Sequence, residues 1–154
     1  MKAIICDLDG TLCDITERRK FVSDKDNQDW KSFSHPFNIS RDEANEWCCE
    51  LVSLYDHICV KILFVSGRMN KPEVDKATID WIKRHVGIHT TLNENLFMRK
   101  DGDYRADTII KKEIFEEHFR DQYDIMFCID DRKSVVDMWR GMGLTVLQCA
   151  EGNF

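Results

Sequence analysis

Apolar and polar positions follow two rhythms along the chain. Short, largely apolar runs mark strands buried on both faces. They are Ala3-Ile4-Ile5-Cys6, Val60 to Val65, Leu96-Phe97-Met98, Ile125 to Ile129 and Leu144 to Leu147. Between them, apolar residues recur at helical spacing. Ser40-Arg41-Asp42-Glu43 has the form of a capping box. It opens a helix reaching to near His57, with Ala44, Trp47, Cys48, Leu51 and Leu54 expected on the core face. Pro72 suits the first turn of the next helix, whose inward positions are Ala77, Ile79, Trp81, Ile82 and Val86. Arg99 to Tyr104 reads as a loop. A helix follows from about Ala106 to Phe119, with Ile109, Ile110, Ile114 and Phe115 inward, and another from Ser134 to Met142. Gln148 to Phe154 closes the chain.

Strand and helix thus alternate throughout. This predicts an α/β fold of the Rossmann-like, three-layer α/β/α kind, with a central five-stranded parallel sheet, in a single domain spanning 1–154. In such folds ligands bind beyond the carboxyl ends of the strands. Three polar clusters fall there: Asp7-Leu8-Asp9-Gly10-Thr11, Ser66-Gly67-Arg68 and Asp130-Asp131-Arg132. In an extended chain residues i and i+2 point the same way, so Asp7 and Asp9 are expected to project toward a common point. Two such carboxylates repel unless a cation or shared proton relieves them. A divalent metal site beside a nucleophilic carboxylate is the economical reading. Plainer readings stand beside it. Asp-Gly is a common turn pair, Asp130-Asp131 suits the start of a helix, and Lys111 next to Lys112 suits a solvated helix face.

Cys13 to Ile39 fits neither rhythm. It is polar and mixed in charge, carries Arg18-Arg19-Lys20, and is punctuated by Trp30, Phe33 and Phe37. A solvated loop with its aromatics tucked onto the body is one reading. The other is a rudimentary cap at the mouth of the site, because the segment leaves directly from the Asp-Gly turn. No G-x-x-x-x-G-K-[ST] is present, so no P-loop kinase activity is expected.

A net charge of −6 argues against a broad nucleic-acid interface built on neutralised phosphates, though not against a local basic site. Seven cysteines without C-x-x-C spacing read as reduced thiols in a cytoplasmic protein. No apolar run is long enough for a membrane helix, and the first strand begins too close to Met1 for a signal peptide.

Asp7-Leu8-Asp9-Gly10-Thr11-Leu12 resembles the first motif, DxDGT, of the haloacid dehalogenase (HAD) superfamily of phosphotransferases. Ser66-Gly67-Arg68 resembles its second motif, Lys111 fits the third, and Asp130-Asp131 the fourth. Further segments resemble the 3′-phosphatase domains of the bacteriophage polynucleotide kinase family. They are Tyr104-Arg105-Ala106-Asp107, Val135 to Arg140 with its Met-Trp-Arg, and the tail Gln148 to Phe154. The resemblance implies a magnesium-dependent polynucleotide 3′-phosphatase working through an aspartyl-phosphate. Asp7 is then the nucleophile and Asp9 the general acid/base. Mg²⁺ would be held by Asp7, the Asp9 backbone carbonyl and Asp131, with Asp130 holding its waters or Lys111. Thr11, Ser66, Gly67, Lys111 and Arg132 would serve the phosphate, and the resemblance adds Arg18, Arg68 and Asp107.

The segment 13–39 is longer than its family counterpart, which bears on substrate choice. No sizeable cap domain is expected, and an open site suits a phosphate on a polymer end. Expected partners are 3′-phosphorylated DNA or RNA ends and a separate kinase or ligase, with no membrane. A small-molecule, nucleotidase-like phosphatase and a non-catalytic module that binds 3′-phosphate ends are the alternatives.

Overall fold

The computed structural model describes residues 1–88 and 92–152. Its centre is a five-stranded sheet in the order β5-β4-β1-β6-β7, parallel throughout. The strands are β1 (Lys2–Cys6), β4 (Lys61–Asn70), β5 (Leu96–Lys100), β6 (Asp124–Arg132) and β7 (Val146–Gly152). β1 is the central strand, pairing Ile5 with Leu63 on one side and with Cys128 on the other. The chain runs outward through β4 and β5, then returns across β1 to β6 and β7. The carboxyl end of β1 therefore lies at the topological switch point, where open α/β sheets bind ligands.

Residue alternation divides β1 between two cores. Ile4 and Cys6 face one layer, with Cys48, Cys49 and Val52 of α4 (Glu46–His57) and Ile79, Trp81 and Ile82 of α5 (Pro72–His85). Ala3 and Ile5 face the other, with Phe115 of α7 (Asp107–His118) and Val135, Val136 and Trp139 of α8 (Lys133–Gly141). Both faces are covered, which is why the strands read as largely apolar runs rather than alternating ones. α6 (Leu92–Asn95) leads directly into β5.

Four expectations change. Ser40 to Glu43 is not a capping box: Ser40 is the C-cap of a short helix, and Glu43–Ala44 forms β3, antiparallel to β2 (Cys13–Asp14). That pairing delays the start of α4 to Glu46 and turns Trp47 and Leu54 outward, 56% and 64% exposed. Cys48, Cys49 and Val52 take the core instead. β7 is longer than the apolar run that predicted it, because Gly152 pairs back onto Arg132. Ile109 of α7 lies outside. Segment 13–39 is not a plain loop, since it folds as α1 (Thr16–Arg19), α2 (Trp30–Phe33) and α3 (Pro36–Ile39). Phe33 packs against the body, while Trp30 and Phe37 stay exposed.

These corrected faces give an energetic expectation. Leu54→Ala should change unfolding free energy by no more than about 0.5 kcal/mol, as exposed sites do. Ile82→Ala, fully buried, should cost about 2–5 kcal/mol. Urea unfolding of the two variants measures both.

Candidate active site

Asp7 follows the last residue of β1. Its backbone N–H still donates to Ile129 O, at 3.0 Å, so the sheet itself holds it in place. Beyond it the chain reverses at Gly10, whose φ of 87° suits glycine. A side chain on Gly10 would collide with the Asp131 carboxylate, and one on Gly152 would sit 2.7 Å from the same group. Two glycines thus make the space that Asp131 occupies.

One group of charges gathers around Asp7. Lys111 reaches in from α7 and donates to Asp7 Oδ1 and Asp130 Oδ2, both at 2.7 Å. Thr11 Oγ1 lies 3.2 Å from Asp7 Oδ2 and 3.3 Å from Asp131 Oδ1, with one proton to share. Asp7, Asp130 and Asp131 each offer an oxygen within 4.8 Å of the others, and all three are buried. Three carboxylates here face one ammonium. Burial, with repulsion from Asp130 and Asp131, pushes Asp7 up to about 8 even against Lys111. Burial and Asp130 likewise raise Asp131. Burial disfavours the Lys111 charge, but Asp130 and Asp7 outweigh it and hold the ammonium charged well beyond its usual range. An all-oxygen donor set with surplus negative charge fits a hard divalent cation such as Mg²⁺.

A second group surrounds Asp9, whose carboxylate pairs with Arg18 and Arg68. Arg18 Nη2 and Arg68 Nη2 both donate to Asp9 Oδ1, each at 2.5 Å. Burial alone would raise Asp9, but the two guanidiniums outweigh it and hold the carboxylate well below its ordinary range. Asp42 closes the group. It receives Arg18 Nε at 2.7 Å and Nη2 at 2.6 Å. Phe33 O takes Arg18 Nη1, and Thr78 Oγ1 takes Arg68 Nη1. Arg18 is therefore committed to orienting Asp9 from behind.

A third group underlies the carboxyl-terminal part of β4. Asp107 accepts from Arg99 Nη2 and from Arg132 Nη1, the latter at 2.6 Å. Arg99 Nε also donates to Gly67 O. Ser66 is buried, and its Oγ accepts the Arg68 N–H at 3.2 Å. The Arg132 N–H donates to Asp130 Oδ1, so the helix that follows β6 begins tied to the first group.

Most residues expected from the sequence line one open cleft of about 1380 Å³, among them Asp7, Asp9, Arg18, Gly67, Arg68, Asp107, Lys111, Asp130, Asp131 and Arg132. Thr11 and Ser66 lie buried beneath it. Sequence reading missed Asp42 and Arg99. Asp42 was hidden inside an apparent capping box. Arg99 had a signal, because it directly follows an apolar strand, as every other cluster does.

A Rossmann-like sheet with this carboxylate–lysine constellation at its switch point defines a phosphatase of the HAD type, and the chain is a phosphoric monoester hydrolase of that class. More narrowly, residues 1–154 match the polynucleotide kinase PNKP phosphatase domain family, and the chain belongs to it. A putative bifunctional polynucleotide kinase/RNA ligase of Autographa californica nuclear polyhedrosis virus is 31% identical over 92% of this chain. A chain of the Pnkp1/Rnl/Hen1 complex is 32% identical over 99% of this chain, with a TM-score of 0.78, and one of the Pnkp1/Rnl/Hen1 RNA repair complex gives 0.74. The match spans 18% of the viral protein and 47% and 43% of the two solved chains. The class C acid phosphatase of Bacillus anthracis, 16% identical over 96% of this chain and 67% of its own, shares the fold at a TM-score of 0.60. Among the described residues no helix is long and apolar enough to cross a membrane.

Proposed function

We propose that this domain is a Mg²⁺-dependent polynucleotide 3′-phosphatase that leaves a 3′-hydroxyl on DNA or RNA ends. The observation that carries the reading is the Asp7–Lys111–Asp130–Asp131 cluster in the lining of an open cleft of about 1380 Å³. Membership of the polynucleotide kinase phosphatase family supports the choice of substrate. Residues 1–154 act as one phosphatase domain, with 13–39 forming one rim of the cleft in place of a cap.

Asp7 attacks phosphorus. The bond to the 3′ oxygen breaks, and that oxygen takes a proton from Asp9. Water, losing a proton to Asp9, then attacks the aspartyl-phosphate and frees Asp7 and inorganic phosphate. Asp7 must be ionised to attack, yet burial holds it up to about 8 beside a single ammonium. Mg²⁺ held by Asp7, Asp131 and the Asp9 carbonyl, with Asp130 near its waters, would supply the missing positive charge. Lys111 and backbone N–H groups near Gly67 meet the phosphate oxygens, above the buried Thr11 and Ser66 hydroxyls. Arg18 and Arg68 favour the Asp9 carboxylate, the form left once it has given its proton to the leaving oxygen and the form needed to activate water. An incoming phosphate competes for the Arg68 guanidinium and so frees Asp9 to carry the proton for the first step. Asp107, braced by Arg99 and Arg132, supports the Gly67 turn.

The viral relative carries polynucleotide kinase and RNA ligase in its name, and a solved relative belongs to an RNA repair complex. We therefore expect this phosphatase to work beside a kinase or ligase on the same ends. Its seven cysteines are all free, five of them buried, which suits the reducing cytoplasm.

The test is phosphate release with Mg²⁺ from a 3′-phosphorylated oligonucleotide, its 5′-phosphorylated counterpart and a 3′-mononucleotide. Fast release from the 3′ end of the oligonucleotide alone is the expected result. Equal or faster release from the mononucleotide would replace this reading with a nucleotidase.

A further inference from the structure

The walls of the cleft outside the charged groups contain large aromatic rings open to solvent. Trp30 is 55% exposed and Tyr104 is 84% exposed. Both line the same cleft as Asp7 and Asp9. Trp30 comes from 13–39, the segment that leaves directly from the Gly10 turn.

Trp30 is exposed but held. Its Nε1 donates to Gln28 Oε1 at 3.1 Å. Its ring meets Phe33 at 5.5 Å between centroids and 76° between planes. Phe33 in turn carries the Arg18 guanidinium 4.7 Å from its ring centre, and Arg18 holds Asp9. The contacts Trp30–Phe33–Arg18–Asp9 are thus continuous. A ring that is pinned while much of it faces solvent invites a planar partner. Lys25 and Lys31 of the same segment line the cleft, whereas the neighbouring Asp24, Asp26 and Asp29 do not.

We propose that Trp30 is a stacking platform for a base at the 3′ end of a single-stranded nucleic acid, with Lys25 and Lys31 meeting its backbone phosphates. This inference rests on the 3′-phosphatase reading above. Every base has a π-face, so such a platform tolerates any sequence, and it takes bases that are not already paired and stacked. It would recognise the polymer, while the charged groups recognise the phosphate.

The experiment uses the intact chain and compares Trp30→Ala, Trp30→Phe and wild type. Substrates are a 3′-phosphorylated single-stranded oligonucleotide and glycerol 2-phosphate, which has no base. Trp30→Ala should raise KM for the oligonucleotide about tenfold, within the range of stacking losses. Its kcat on the oligonucleotide should stay within about twofold, and its turnover of glycerol 2-phosphate should be unchanged, as expected if its catalytic groups are undisturbed. Trp30→Phe should restore most of the affinity. Unchanged KM for the oligonucleotide in Trp30→Ala would overturn the inference and leave the 3′-phosphatase reading standing. So would an equal loss on both substrates, which would mean that Trp30 only braces Phe33 and Arg18. Failure of the wild type to act on the oligonucleotide while hydrolysing glycerol 2-phosphate would bring down both.

Discussion

Asp7→Asn should abolish phosphate release while leaving the fold intact or slightly more stable. The expected fall in kcat is on the order of 10⁴-fold or more, as when a covalent nucleophile is removed elsewhere. The stability expectation follows from the charges around it. Asp7 is buried with two other carboxylates and is pushed up to about 8 from an ordinary 3.8. A group raised in this way favours folding most at low pH, and its contribution is lost as pH rises from the ordinary value toward the folded one. The wild type in EDTA should therefore lose stability between about pH 4 and pH 8. The Asn variant, which cannot ionise, should show a flatter profile. Thermal unfolding across that range, alongside phosphate release with Mg²⁺, measures both parts. A variant that unfolds at much lower temperature at every pH would mean that the carboxylate is structural.

Lys111→Ala is the second large effect, and its sign on stability is opposite. Removing the ammonium leaves Asp7, Asp130 and Asp131 buried without the cation that bridges Asp7 and Asp130. Breaking a buried pair from one side costs about 3–5 kcal/mol, so the variant should unfold at markedly lower urea concentration in EDTA. Mg²⁺ held by Asp7 and Asp131 would restore part of that loss by offsetting the carboxylate charge. Turnover should fall as well, since the phosphate loses its fixed cation. Equal stability of variant and wild type in EDTA would mean that the three carboxylates do not need Lys111 to neutralise them.

How much of this was legible beforehand depends on the distance over which each feature is encoded. Asp7, Ser66 and Asp130 each follow an apolar strand directly, so period and position were enough to bring them to one rim. Lys111 sits on a helix beside Lys112 in a pattern that fits solvent equally well; family resemblance singled it out, and its burial became visible only with α7 packed over β4. Trp47 and Leu54 fit the core period but face out. The β2–β3 pairing, between residues some thirty positions apart in the chain, sets where α4 begins and hence which face it buries. Asp42 and Arg99 were missed because their meaning lies in guanidinium and carboxylate partners contributed by other elements.

By itself, then, the sequence determined the order of strands and helices, the parallel sheet and the rim on which the polar clusters gather, because these follow from hydrophobic periodicity read locally. Only the tertiary structure decided that Asp7 and Asp9 belong to separate charge groups, that Arg18 is held by Asp42 behind Asp9, and that Trp30 stands open at the mouth of the cleft. Those outcomes depend on which charges and rings meet across the fold, and electrostatic and packing partners are set by distance in space, which local pattern does not carry.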